Sequence, residues 1–236
     1  MPEAAARWWS ADEQVTMLDL VEVFCGEDRP GDLRDATIGA GGQARGLDTC
    51  LAGARMDVSD DVVFSALYEL ILSGRVRHLW LGVVCSSLSQ LWLKAGRPRL
   101  RSRAQPDGIQ PMPPQWRGYI SRANDLIARS ETLAYAQWYV GNTYYIENPA
   151  DVGFMRSPFF KWSKRAAVSL WITTPMLRLA QATHPTWGTT AMCGWRGPFQ
   201  KITTICSAGP GAYPVISINE VRCICIEHEL LADGVD

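Results

Sequence analysis

Short apolar segments alternate with amphipathic stretches along this chain, and this alternation constrains its fold more than any other feature. Each apolar segment ends at a glycine or at a polar side chain, which is typical of a buried strand followed by a turn. The predicted strands are residues 15–24, 43–47, 54–58, 76–84 and 143–146. The predicted helices between them include residues 61–73 and 121–140. The pattern predicts a Rossmann-like α/β fold, a mostly parallel sheet with helices on both faces.

The remaining segments complete this prediction. Residues 32–38 and 161–173 are expected to be helices, and residues 189–193 and 201–206 are expected to be paired strands. Residues 94–114 are rich in arginine, proline and glycine, so we expect a long exposed loop there. Loops of that length in compact domains are commonly functional.

Length and composition suit one main domain. The chain has 236 residues, of which 47% are hydrophobic and 20% are charged, as in globular proteins with a buried core. We expect a leader at residues 1–14, one domain at 15–210, and a C-terminal strand and tail at 211–236. No apolar run has the length of a membrane span, so no membrane association is expected.

Cysteine usage favours an intracellular protein, in the nucleus or the cytoplasm. The seven cysteines are odd in number and irregularly spaced, which does not suit a disulfide framework. Cys223, Cys225 and His228 carry zinc-binding donors but make only three close ligands, whereas structural zinc takes four. We prefer to interpret them as part of a final strand, and we expect no metal.

The net charge of −1 argues against a broad nucleic-acid-binding surface. Proteins that hold a duplex by its phosphates carry a basic excess or stripe, whereas this chain has only local basic stretches at residues 94–103 and 156–165. Any contact with nucleic acid is therefore expected to be local, or to be helped by a recognition element from another chain or domain.

Two residues at predicted strand ends could carry chemistry. Cys85 follows an apolar strand and precedes serines, at a turn where a helix start would lower the pKa of the thiol. The alternative is an inert core cysteine. Glu147 ends the next strand, where a partly desolvated carboxyl can act as an acid, or can simply cap the following segment. A cysteine hydrolase pairing Cys85 with a histidine is another reading, but nothing positions such a pair.

A second group of residues suggests a cofactor edge. Phe24 and Gly26 form a strand-end turn where backbone can approach a ligand, and Asp48 and Asp57 are expected to end the next two strands. Aspartate at such an edge can accept hydrogen bonds from ribose hydroxyls, although aspartate also favours turns for local reasons. The glycines do not form a G-x-G-x-x-G fingerprint, so dinucleotide binding is not supported.

These motifs, in this order, resemble the cytosine-C5 DNA methyltransferases. Residues 24–26 are similar to that family's Phe-x-Gly, residues 84–89 to its Pro-Cys-Gln-x-Phe-Ser, and residues 147–149 to its Glu-Asn-Val. Divergent methyltransferase-like proteins of protists and viruses are closer still, because their Leu-Arg-Ser-x-x-x-Pro-x-Gly segment is matched at residues 100–108. The resemblance spans about residues 21–207.

The resemblance implies an S-adenosylmethionine-dependent methyltransferase fold and function. Phe24, Gly26, Asp48 and Asp57 would bind the cofactor. The Cys85 thiolate would add to C6 of a flipped cytosine and Glu147 would act at its N3. The implied substrate-binding residues are Ser87, Ser89, Arg101, Asn148, Arg196 and Lys201. The implied partner is DNA, with RNA as the alternative.

Several departures from the family pattern keep a second interpretation open. Val84 replaces the proline before the cysteine, Ser86 replaces the glutamine after it, and the family's Gln-x-Arg-x-Arg motif is not reproduced near Lys201. The alternative is a catalytically inactive methyltransferase-like module, of viral or mobile-element origin, that binds nucleic acid or cofactor without turnover.

Overall fold

The computed structural model describes residues 17–27, 32–84, 86–88, 96–151, 168–191 and 202–212. The strands in these ranges are β1 (Leu18–Val23), β2 (Ala44–Leu47), β3 (Val76–Leu81), β4 (Thr143–Pro149), β5 (Thr186–Ala191) and β6 (Ile202–Ala208). The α-helices are α1 (Leu33–Gly39), α2 (Thr49–Ala52), α3 (Asp61–Leu72), α4 (Pro114–Tyr139) and α5 (Thr174–Thr183).

The strands form one mixed, mostly parallel sheet in the order β2-β1-β3-β4-β6-β5. β1 pairs in parallel with β2 on one side and with β3 on the other, and β3 pairs in parallel with β4. This sheet, with helices between its strands, confirms the predicted Rossmann-like α/β class. The last strand along the chain, β6, lies between β4 and β5, so the strands are not added in simple sequence order.

The chain divides into two compact units that are discontinuous in sequence. Unit 1 comprises the described residues of Met1–Val83, Asp125–Ile146 and Ser207–Ala212. Unit 2 comprises those of Val84–Asn124 and Glu147–Cys206. The predicted leader at 1–14 lies outside the described residues, as does nearly all of the predicted tail at 211–236.

Unit 1 has a core built from the strands and from α3. Val21, Val23, Leu79 and Leu81 are fully buried, as expected for parallel strands covered by helices. Asp60 caps α3 by accepting hydrogen bonds from Val62 N (2.8 Å) and Val63 N (3.3 Å). In sequence, α3 begins and ends within one residue of its predicted bounds.

Gln137, on α4, fixes the start of β3 against β4. Its side chain is fully buried, and its Nε2 donates to Val76 O (2.8 Å), Arg77 O (3.2 Å) and Thr143 O (3.2 Å). One amide group therefore holds the amino ends of two strands that follow each other in the sheet.

Unit 2 contains the segment that the sequence predicted to be an exposed loop. Residues 96–113 form neither helix nor strand, but several of their side chains are buried. Leu100 and Met112 pack in a core cluster with Ile120 of α4. The expectation of full exposure was wrong, because this segment has its own apolar anchors.

Three other predicted elements differ from the structure. The predicted strand at 54–58 is wrong, since Gly53–Met56 forms a 3-10 helix and a turn follows it. Helix α4 begins at Pro114, seven residues before its predicted start at Ser121. Of the helix predicted at 161–173, residues 161–167 lie outside the described ranges, and Leu170–Ile172 forms a 3-10 turn. Among the described helices, none is both long and apolar enough to cross a membrane.

Candidate functional site

The strand order reverses at β1, and this reversal marks a candidate ligand-binding position in unit 1. The strand that follows β1 along the chain lies on one side of it, and β3 lies on the other. In open α/β sheets, ligands bind beyond the carboxyl ends of the strands at such a switch point. Residues 24–26 continue directly from β1, and Gly82 continues from β3.

The turn at residues 24–26 has a backbone that few side chains adopt. Phe24 has φ 61° and Gly26 has φ 72°, both in the left-handed region. For a bulky residue such as phenylalanine this conformation costs about 1–3 kcal/mol, and it persists where surrounding contacts enforce it. Here Phe24 N donates to Leu47 O (2.8 Å), which holds the turn against the end of β2.

Gly82 allows the ends of β1 and β3 to approach each other closely. Its N–H donates to Val23 O (3.0 Å), and a Cβ at this position would lie 3.0 Å from Phe24 O. The glycine therefore keeps the strained turn and the end of β3 in contact. The sequence interpretation did not single out this residue, although a glycine directly after an apolar strand was a usable signal.

Asp48 joins the β1 turn to the end of β2. Its Oδ2 accepts a hydrogen bond from Gly26 N (2.9 Å), and its Oδ1 accepts one from Cys50 N (2.9 Å) at the start of α2. Burial alone would raise the pKa of Asp48, but the backbone amides of Cys50 and Gly26 outweigh it and lower the pKa. The carboxylate is thus ionised. Its Oδ1 also accepts from Thr49 Oγ1 (3.4 Å), whereas Oδ2 accepts only from Gly26 N among the described hydrogen bonds and retains a lone pair for a further donor.

Asp57 does not end a strand, contrary to expectation. It follows the 3-10 helix, where its side chain accepts from Ser59 N (2.8 Å) and its carbonyl accepts from Asp60 N (2.9 Å). These contacts are turn chemistry. Asp57 is half-buried, and these contacts use only one oxygen of its carboxylate.

A buried charged cluster lies beside β1 and was missed by the sequence interpretation. Arg34, 8% exposed, donates to Asp32 Oδ2 (2.8 Å), and its Nε lies 3.5 Å from Glu22 Oε2. A Cβ on Gly46 would overlap the Arg34 guanidinium, so the absence of a side chain at Gly46 leaves room for that guanidinium. Burial raises the pKa of Glu22 to about 7, although the charge of Arg34 opposes the rise. The available signal was a lone glutamate inside an apolar strand.

Cys25 lies in the β1 turn but is poorly suited to act as a nucleophile. Burial raises the pKa of its thiol to about 11, despite the opposing charge of Arg34. Cys206 is buried, and burial raises the pKa of its thiol as well. Both thiols stay protonated near neutral pH, and a protonated thiol is a weak nucleophile.

In unit 2, the predicted acid Glu147 lies in β4, two residues before the end of that strand. It is half-buried, and the next residue, Asn148, is buried at 2% exposure. Two hydrogen bonds fix the backbone directly after this pair. Trp171 Nε1 donates to Pro149 O (3.2 Å), and Ala150 N donates to Ile202 O (3.0 Å).

Arg101 and Ser87 contact each other in the interior of unit 2. Arg101 is 1% exposed; its Nε donates to Ser87 Oγ (3.0 Å) and its Nη1 donates to Pro106 O (2.7 Å). Its Nη2 is buried without a hydrogen-bond partner. Burial lowers the pKa of the guanidinium. Ser87 itself lies in the 3-10 helix Ser86–Leu88.

The other predicted site residues lie outside the described residues. These are Cys85, Ser89, Arg196 and Lys201, together with Cys223, Cys225 and His228. Within the described part of the chain, no group of three histidine, cysteine or acidic side chains could hold a metal ion.

The described geometry brings together Phe24, Gly26 and Asp48 at one sheet edge in unit 1, and Ser87 with Arg101 in unit 2. Comparison of the sequence with protein-family models finds no match, and comparison with curated proteins finds no relative.

Proposed function

We propose that this protein is an S-adenosylmethionine-dependent methyltransferase that acts on C5 of cytosine in DNA, with RNA as the alternative substrate. The observation that carries the proposal is the link between Asp48 and Gly26 at the switch point of the sheet. That link sets an ionised carboxylate beside an open backbone turn, where α/β sheets bind their ligands.

The residues at this edge fit the proposed cofactor. The free lone pair of Asp48 Oδ2 suits a ribose hydroxyl. The Phe24–Gly26 backbone, kept close to β3 by Gly82, suits close approach by a ligand. Asp57 is the residue we assign to the adenine side. Bound there, S-adenosylmethionine supplies an electrophilic methyl group.

Cys85 and Glu147 have the chemical roles in this proposal. The Cys85 thiolate adds to C6 of cytosine while Glu147 gives a proton to N3, which makes C5 nucleophilic. C5 would then take the methyl group as the S–CH3 bond of the cofactor breaks to leave S-adenosylhomocysteine, and N3 would return its proton to Glu147. A base removes the C5 proton, and the electron pair of the C5–H bond restores the C5–C6 double bond as the cysteine thiolate leaves.

The proposed substrate-binding residues lie partly inside and partly outside the described ranges. We assign Arg196 and Lys201 to the base or its phosphate, and Ser89 and Asn148 to the pocket around the reacting ring. Ser87 and Arg101 are buried and hydrogen-bonded to each other, so we assign them to the support of this pocket. With a net charge of −1, we expect a partner or further domain to supply most of the duplex affinity.

The competing proposal is a methyltransferase-like module that binds without turnover. Val84, which replaces the family's proline, has no ring to fix its φ, so the residue before Cys85 lacks the conformational restriction that proline would give it. This interpretation predicts cofactor binding and no methyl transfer.

Transfer of a labelled methyl group from S-adenosylmethionine to cytosine-containing DNA and RNA tests the proposal. We expect transfer by the wild type, loss with Cys85→Ala, and a large decrease with Glu147→Gln. Cys206→Ala is the matched control, because Cys206 is a buried cysteine of β6 whose thiol has no proposed role. Transfer that survives Cys85→Ala would refute the mechanism. A folded protein that binds cofactor but transfers nothing would favour the module without turnover.

A further inference from the structure

The acidic and basic residues of this chain are distributed unevenly along the sequence. Between Asp151 and Glu220 there is no acidic residue, whereas there are seven lysines and arginines. The rest of the chain therefore carries the acidic excess that brings the net charge to −1. Because phosphates are attracted by cations and repelled by carboxylates, this basic stretch is the part of the sequence that best suits contact with nucleic acid.

Two tryptophans of the basic stretch form an aromatic corner in unit 2. The rings of Trp171 and Trp187 meet edge to face, with 5.2 Å between their centroids and 84° between their planes. Trp187 lies in β5 and is 41% exposed, and Trp171 is half-buried in the 3-10 turn Leu170–Ile172. Such a pair presents two flat apolar surfaces at nearly a right angle, and a planar ring can stack on either of them.

Contacts to neighbouring strands hold the aromatic corner in place. Trp171 Nε1 donates to Pro149 O (3.2 Å) at the end of β4. Two residues after Trp187, the Thr189 hydroxyl is hydrogen-bonded to the Thr204 hydroxyl of β6, with 2.9 Å between the two Oγ1 atoms. A site held in this way loses little conformational entropy when a ligand binds, so the corner is preorganised for stacking.

The Trp171 contact also sets the corner beside the end of the strand that carries Glu147. Pro149 follows Glu147 by two residues, and two residues of chain span at most about 7 Å. The acidic residue that precedes the basic stretch, Asp151, is paired with Arg103 through contacts of 2.8 Å and 3.0 Å, so its charge is neutralised. A ring stacked on the corner would therefore neighbour the ring on which Glu147 is proposed to act.

We propose that the aromatic corner of Trp171 and Trp187 is a base-stacking site that holds an unpaired base of single-stranded DNA or RNA next to the reacting base. The inference rests on the proposed action on nucleic acid, and it adds that the strand is unpaired where it meets the corner. Stacking on aromatic rings accepts every base and does not depend on phosphate contacts. It therefore suits a chain whose net charge of −1 gives little general attraction for a duplex.

The test compares short, fluorescein-labelled oligothymidylate and oligouridylate with strands of equal length that carry abasic sites, by fluorescence anisotropy. Neither base is cytosine and no cofactor is added, so binding does not depend on the proposed reaction. We expect the wild type to bind the strands with bases at least about tenfold more tightly than the abasic strands. An advantage on either backbone supports the proposal, and the larger one identifies the preferred strand. Equal affinity for strands with and without bases would overturn it.

Salt separates stacking from phosphate contacts in the same experiment. Both affinities should fall as salt rises, because phosphate contacts weaken. The ratio between them should stay constant, because the bases contribute through stacking. A ratio that falls to one at high salt would contradict a stacking site.

Substitutions of Trp187 test which residues produce the ratio. Trp187→Ala should bring the ratio close to one and leave the affinity for abasic strands unchanged, whereas Trp187→Phe should keep most of the ratio because a phenyl ring also stacks. Tyr139→Ala is the matched control, because Tyr139 is a 71% exposed aromatic residue of α4 that contacts the ring of Tyr135 and lies outside the basic stretch. A folded Trp187→Ala protein with the wild-type ratio would refute the proposal.

Photo-crosslinking of the wild type keeps the test decisive if Trp187→Ala does not fold. Oligouridylate that contains 5-iodouridine is irradiated with the protein, and mass spectrometry locates the cross-linked residue. We expect cross-links to Trp171 or Trp187, and cross-links confined to other residues would overturn the proposal. A protein that stacks bases but transfers no methyl group would keep this site and lose the proposed activity. Methyl transfer without base-dependent binding would do the reverse.

Discussion

Replacement of Gly82 by alanine tests whether the close approach of β1 and β3 is needed. The added Cβ would lie 3.0 Å from Phe24 O, whereas ordinary contacts of this kind begin at 3.4 Å, so the backbone must move by about 0.4 Å (3.4 − 3.0). Such overpacking costs about 1–3 kcal/mol. The alanine also stiffens the unfolded chain, which offsets about 0.4–1 kcal/mol. We expect a net loss of about 0.5–2 kcal/mol in the free energy of unfolding.

The same change should weaken cofactor binding, because Phe24 O belongs to the turn proposed to contact the ligand. A loss of about 1.4 kcal/mol in binding corresponds to a tenfold higher Kd. Urea unfolding gives the stability, and calorimetric titration with S-adenosylhomocysteine gives the affinity.

Gly118→Ala is the control for this change. Gly118 lies on the exposed side of α4, and a Cβ there would meet nothing within 4 Å. In a helix interior, alanine in place of glycine stabilises by about 0.5–1 kcal/mol. The two variants should therefore shift stability in opposite directions. If Gly82→Ala is as stable as Gly118→Ala and binds ligand like the wild type, the reasoning about this edge is wrong.

Three further predictions concern unit 1. Burial raises the folded-state pKa of Glu22 to about 7, so the wild type should lose on the order of 1 kcal/mol of stability as pH rises from about 4.5 to 7. Glu22→Gln should lose less over the same range. Urea unfolding at several pH values measures this difference, and parallel stability profiles of the two proteins would contradict it. Gln137→Leu removes the side-chain amide that donates to three strand carbonyls, and it should lower the free energy of unfolding, measured in urea, by about 2–4 kcal/mol. A decrease under about 0.5 kcal/mol would show that water replaces the amide. Asp60→Ala removes the cap of α3 and should lower the thermal unfolding midpoint by a shift equivalent to about 1 kcal/mol; an unchanged midpoint would show that the cap contributes nothing.

β1, β3 and β4 were predictable because each concentrates apolar residues in a short segment that leads into a turn or a polar residue. β1 and β3 lie within their predicted ranges, and β4 begins at its predicted start and extends three residues further. Helix α3 follows the apolar spacing of its sequence. These elements are specified by local sequence, so no knowledge of distant contacts was needed to find them.

The predicted strand at 54–58 failed because side chains near it compete for the backbone. Asp48, Asp57 and Asp60 each accept hydrogen bonds from backbone amides two or three residues later. Three such turns in so short a stretch leave no room for an extended segment. Asp57 was interpreted as a strand end, but its side chain accepts from the backbone in a turn.

The start of α4 and the presence of α5 could have been found from prolines at their first turns. Pro114 begins α4, and α5 has a proline at its first or second position, both of which are favourable because the missing N–H has no helical partner there. Arg101 could not have been placed from sequence. Its burial depends on Ser87, fourteen residues away, while its own neighbours are charged and predict exposure.

Titration of the wild-type protein with S-adenosylmethionine and S-adenosylhomocysteine tests the central claim, which is that the switch point of unit 1 is a cofactor site. Asp48→Asn is the decisive variant, because an amide has a single oxygen and cannot accept from both Gly26 N and Cys50 N as well as from a ribose hydroxyl. Asp35→Asn, an exposed change on α1, is the control. We predict binding of both ligands by the wild type and the control, and at least about tenfold weaker binding by Asp48→Asn. A folded wild-type protein that binds neither ligand, or an Asp48→Asn variant that binds them equally well, would contradict the account.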